Sequence, residues 1–76
     1  IHKANAIETL INYLGIERKN TYAFGDGMND KEMLEYVNIG IAVGNAKEGL
    51  KAVADEITDN IDNNGIYNSM KKHNLI

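Results

Sequence analysis

The 76-residue sequence has no cysteine, no proline, no tryptophan and one phenylalanine, Phe24. Without cysteine there is neither a disulfide framework nor a thiolate metal site. That composition fits a reducing compartment, and a cytoplasmic location is expected. Without proline, no helix is interrupted by a missing N–H. No apolar run approaches the ~20 residues of a bilayer span, and no signal peptide is visible, so no membrane partner is expected. Charge of one sign is also scarce: eight Lys and Arg stand against eleven Asp and Glu, a net charge of −3. Lys71-Lys72 is too short to be a nucleic-acid patch and reads as a helix C-terminal charge pair. The four tyrosines are scattered and form no platform for bases. His2 and His73, both in polar surroundings, read as exposed.

What is present is ordinary for a globular chain: 43% apolar and 25% charged residues. A chain this short buries only about 60% of its unfolded surface, so stability should be modest. Ile7, Leu10, Ile11 and Leu14 recur at helical spacing, predicting a helix over 4–14 with Gly15 just past its end. Thr21–Phe24 reads as a buried strand, and 30–37 as a short helix burying Met33, Leu34 and Val37. A second buried strand spans 39–43. A helix follows over 46–54, burying Leu50, Val53 and Ala54. Glu56–Thr58 reads as an edge strand, 59–65 as a polar loop, and 66–73 as a closing helix with Ile66, Met70 and Tyr67 inward. Asn29 with Glu32, and Asn45 with Glu48, have capping-box spacing. Alternation of this kind predicts α/β architecture, a short parallel sheet flanked by helices with right-handed crossovers. The chain starts at Ile1 and its pattern begins mid-unit, which reads as one partial domain, 1–76, of a longer protein.

Gly25-Asp26-Gly27-Met28-Asn29-Asp30 lies where the first strand turns into a helix. An open α/β sheet holds its ligand at such strand ends. A helix start adds free N–H groups and a positive dipole end, and carboxylates beside phosphate suit a divalent cation. Plainer explanations stand beside each residue. Asp before Gly is a common turn residue. Asp30 and Asn29 are good helix caps. Gly25 and Gly27 permit positive φ or close approach in any tight turn. Asn45 reads first as a helix cap.

The run Ala23-Phe24-Gly25-Asp26-Gly27-Met28-Asn29-Asp30-Lys31-Glu32-Met33-Leu34 resembles the fourth motif of the haloacid dehalogenase (HAD) superfamily. Ile39-Gly40-Ile41-Ala42-Val43-Gly44-Asn45-Ala46, Ala54–Thr58 and Asn64-Gly65-Ile66 resemble its Cof-like sugar-phosphate phosphatase branch. Lys3, before Ala6-Ile7 and Leu10, matches the third-motif lysine. The resemblance implies the C-terminal half of a three-layer Rossmann-like core and Mg²⁺-dependent phosphoryl transfer through an aspartyl-phosphate. It assigns Asp26 to the metal, Asp30 to the metal through water or to an ion pair with Lys3, and Lys3 and Asn29 to phosphate. Asn45 is a further phosphate candidate at the end of the second strand. The implied substrate is a small phosphorylated metabolite such as a sugar phosphate. Two alternatives stand: a phosphorylation-domain piece of a P-type cation pump, which shares the motif, and a non-catalytic α/β binding module.

Parts of the family pattern are missing. No Asp-x-Asp follows a hydrophobic strand, and neither the hydroxyl-bearing motif nor a cap domain is present. The isolated chain is therefore predicted to be catalytically inactive. The missing first strand would lie beside 21–24, so an unpaired strand edge open to self-association is expected.

Overall fold

The computed structural model describes residues 3–76, with Lys3 described as backbone only. Helix α1 spans Lys3–Leu14 and is closed by Gly15 at φ +72°, the left-handed conformation glycine adopts without strain. After a 3₁₀ turn at Arg18–Asn20, strand β1 runs from Tyr22 to Gly25. A second 3₁₀ turn, Met28–Asp30, leads into α2, Lys31–Tyr36. Strand β2 is Ile39–Ala42, α3 is Glu48–Val53 and β3 is Glu56–Ile57. A third 3₁₀ turn, Ile61–Asn63, precedes α4, Gly65–Lys72. The sheet is parallel in the order β1-β2-β3, with Ala23 opposite Gly40 and Ile41 opposite Glu56. The predicted α/β class and short parallel sheet hold.

The pleat separates small from large side chains. Ala23, Gly25, Gly40 and Ala42 alternate onto the face covered by α2 and α3. The approach there is close: a Cβ on Gly40 would lie 2.3 Å from the Leu34 carbonyl oxygen. Tyr22, Phe24, Ile39 and Ile41 take the other face, where the His73 ring, just past α4, lies 5.2 Å from that of Tyr22. Leu34, Ile41, Val43 and Leu50 are fully buried.

Helix α1 forms where the spacing places it, but only part of its apolar stripe is covered. Ile11 is buried, but Leu10 and Leu14 are more than half exposed. Helix α1 rests on α2 along the Ile7–Ile11 side only. Tyr67 is likewise exposed rather than inward. His73 differs in the opposite sense: its side chain is 16% exposed and sits beside Glu56. His2 lies outside the described residues. Neither predicted capping box forms. Helix α2 starts at Lys31 and α3 at Glu48, and the N-cap residues, Asp30 and Lys47, make no side-chain cap bond.

Candidate active site at the strand ends

Strands β1 and β2 end side by side, and the Val43 N–H donates to the Gly25 carbonyl at 3.1 Å. Beyond this point the chain turns sharply around the Asp30 side chain. Asp30 is buried, and its Oδ2 accepts the Asp26 N–H at 3.2 Å and, more weakly, the Gly27 N–H at 3.5 Å. A carboxylate taken out of water needs such partners. The Asp30 N–H in turn donates to the Gly27 carbonyl at 3.0 Å. Asp30 thus shapes the turn from inside. The loop N–H groups of Asp26 and Gly27 point inward to it.

Gly25 is needed for space rather than for positive φ. A Cβ there would lie 2.8 Å from Asp30 Cβ and 2.9 Å from Leu34 Cδ1. Gly27 has φ −121° and does not use the left-handed region either. The Asp26 side chain points out of the turn. It is exposed, and no hydrogen bond or ion pair among the described residues engages its carboxylate. Asn29 is exposed on the same turn.

A cavity of about 210 Å³ opens at this end of the sheet, lined by Phe24, Gly25, Asp26, Asp30, Val43, Ile61 and Ile66. Its walls are apolar apart from the two carboxylates. Ile61 and Ile66 were not legible as site residues, because 59–65 reads as a plain polar loop. The available signal was Ile61 itself, a lone apolar residue among five Asp and Asn. Asn45 is also placed differently from its capping expectation: its Oδ1 accepts the Ile61 N–H at 3.1 Å. Lys3 opens α1, but its side chain lies outside the described residues, so its distance to the turn is not part of this geometry.

For Mg²⁺ the donor set fits. The ion takes hard oxygen ligands, typically one or two carboxylates completed by water and phosphate. Here one carboxylate is unengaged among the described residues and a second lies behind it. No group of three or more His, Asp or Glu gathers among the described residues, so this is not an all-protein cage. Of the two carboxylates, Asp30 is buried and Asp26 exposed, so Asp26 is the one accessible to such an ion.

Comparison with known proteins decides the family. A model of haloacid dehalogenase-like hydrolases matches residues 1–70. The chain belongs to that family. It is 47% identical over 74 residues to an uncharacterised Geobacillus stearothermophilus protein from the pdhA 5′ region, covering 97% of this chain and 78% of that protein. It is 45% identical to the putative phosphatase YkrA of Bacillus subtilis, again over 97% of this chain but only 29% of YkrA. Among solved structures, the HAD subclass IIB sugar phosphatase BT4131 superposes with a TM-score of 0.94 at 44% identity, over 97% of this chain and 28% of that one. The chain therefore spans under a third of the length of the latter two HAD proteins. These likenesses do not favour the cation-pump alternative.

Proposed function

We propose that this chain forms the metal- and phosphate-holding part of a Mg²⁺-dependent phosphatase that acts on a small phosphorylated metabolite, of which a sugar phosphate is the best candidate. The observation that carries the reading is the Asp26 carboxylate. Among the described residues it is unengaged, and it is exposed at the carboxyl end of β1, on a turn held from inside by Asp30. Asp26 would ligate the metal directly. Asp30 would act behind it, by fixing the turn and by accepting from water or from Lys3. Asn29 would donate its carboxamide N–H to phosphate, and Asn45 Nδ2 is a second donor candidate. Lys3 would neutralise phosphate charge. The bound ion would supply charge neutralisation around the phosphoryl group. The attacking aspartate, and the aspartyl-phosphate formed on it, would come from sequence that this chain does not contain.

No described helix is long and apolar enough to cross a membrane. A cytoplasmic setting and no nucleic-acid partner go with the reading. Strand β1 is an edge of the sheet. The Thr21 and Gly25 carbonyls face β2, so by alternation the backbone groups of Tyr22 and Phe24 face outward. A hollow of about 540 Å³ lined by Ile7, Ile11, Tyr22 and Phe24 adjoins that edge. Self-association through the edge is part of the proposal, and sedimentation of a strictly monomeric, folded chain at high concentration would count against it.

The metal reading is tested by titrating the 76-residue chain with Mg²⁺ while following backbone amide resonances. Shifts centred on Asp26 that are lost in Asp26→Asn are expected. Equal binding by the variant would remove Asp26 as a ligand.

A further inference from the structure

The turn at 44–47 bridges the two loops that border the cavity. On one side the Lys47 N–H donates to the Asp26 carbonyl at 3.2 Å. On the other, the Gly44 N–H donates to the Asp59 carbonyl at 3.2 Å, and Asn45 Oδ1 accepts the Ile61 N–H at 3.1 Å. The fit is tight, because a Cβ on Gly44 would lie 2.4 Å from Asn60 Oδ1. Ile61 in turn lines the same cavity as Asp26 and Asp30. One four-residue turn therefore touches both the proposed metal loop and the apolar wall of that cavity.

We propose that Asn45 is a positioning residue for this site. Its carboxamide oxygen pins the Ile61 amide and so holds the 59–64 segment as the cavity wall. Through the same turn, order in that wall and capture of a cation at Asp26 are coupled. The inference rests on the phosphatase reading for the cation and on geometry alone for the pin. Coupling of this kind is reciprocal: if the cation steadies the wall, the wall strengthens the cation's binding by the same factor. A carboxamide whose oxygen is fixed also has its nitrogen fixed. Asn45 Nδ2 thereby becomes a pre-oriented donor instead of a freely rotating one.

The test uses the whole 76-residue chain, hydrogen exchange of individual amides and Mg²⁺ alone as the probe. In Asn45→Ala, the Ile61 amide should exchange about fivefold faster, the weight of one hydrogen bond, while the buried Ile41 amide is unchanged. Asn45→Asp, which keeps an acceptor oxygen, should restore slow exchange at Ile61. Mg²⁺ should slow Ile61 exchange in the wild type and not in Asn45→Ala. Unchanged Ile61 exchange in Asn45→Ala overturns the pin. A Mg²⁺ effect on Ile61 that survives in Asn45→Ala overturns the coupling. If Mg²⁺ leaves even the wild-type Asp26 region unaltered, the metal reading fails and the coupling with it, while the exchange comparison still decides the pin.

Discussion

Replacing Gly25 by alanine should damage the fold and the candidate site together. The added methyl carbon would stand 2.8 Å from Asp30 Cβ, 2.9 Å from Leu34 Cδ1 and 3.1 Å from Asp30 Oδ2. Real Cβ contacts are wider than this, so something must move. The Leu34 methyl is a side-chain tip and can swing, though Leu34 is only 1% exposed and has little room. Asp30 Cβ is fixed to the backbone at the start of α2, so the helix start must shift with it. Overpacking of this kind costs about 1–3 kcal/mol, and Gly25→Ala should fall near 2. A domain of 76 residues has roughly 4–11 kcal/mol in total, so the variant should fold but unfold early. With a urea slope near 1 kcal/mol/M for so small a chain, the midpoint should fall by about 2 M at constant slope. The same displacement draws Asp30 Oδ2 away from the Asp26 and Gly27 N–H groups. Mg²⁺ affinity should therefore drop even under conditions where the variant is fully folded. An unchanged urea midpoint would refute the packing argument. A lower midpoint with intact Mg²⁺ binding would refute the link from Asp30 to the turn.

Other outcomes follow from the same geometry. Glu56 is held below its ordinary value of 4.5, first by the hydrogen bond from Lys72, with burial opposing and the charge of His73 assisting. Because the folded-state value is the lower one, its contribution is complete above pH 4.5 and fades as pH falls through the folded value. Glu56→Gln should flatten the acid limb of stability against pH and leave the limb above pH 6 parallel to wild type, as read by urea unfolding across pH. Ile41 is fully buried on the α4 side of β2, so Ile41→Ala should cost about 2–5 kcal/mol, measured by urea midpoint. A loss under 1 kcal/mol would mean that α4 does not cover it. The isolated chain should not turn over an aryl phosphate with Mg²⁺ present, because it holds no Asp-x-Asp after a strand. Robust metal-dependent turnover by the purified chain would overturn that.

Much of this architecture could be read from residue order. Thr21–Phe24 and Ile39–Val43 announce buried strands by their short apolar runs, and the helices between them follow from 3.6-residue spacing. The Gly25–Asp30 turn was legible because glycine, carboxylate and carboxamide crowd into six positions. Three features were not. Leu10 and Leu14 obey the same spacing as Ile7 and Ile11, and periodicity says which side of a helix is apolar without saying how much of that side finds a neighbour. The capping boxes at Asn29 and Asn45 depend on where helix geometry starts, and a 3₁₀ turn at Met28–Asp30 and a delayed start at Glu48 moved both boundaries. His73 lies beyond the last helical turn, where nothing local reveals that it meets Tyr22 and Glu56 on two different strands.

The seat of Leu34 on Gly40 has a consequence for chemistry at the far end of the same helix. Leu34 lies one turn along from Asp30, and its backbone rests almost directly on β2, with no side chain between. Helix α2 therefore has a depth stop. Its height above the sheet is set by the thickness of two backbones, a quantity that does not vary with rotamer or temperature as a layer of side chains would. Asp30 rides on that helix, so the level at which its carboxylate stands beneath Asp26 is a length copied from the Leu34–Gly40 contact. A methyl group added at Gly40, far from any ligand, would act as a shim under the helix and re-set the site's calibration.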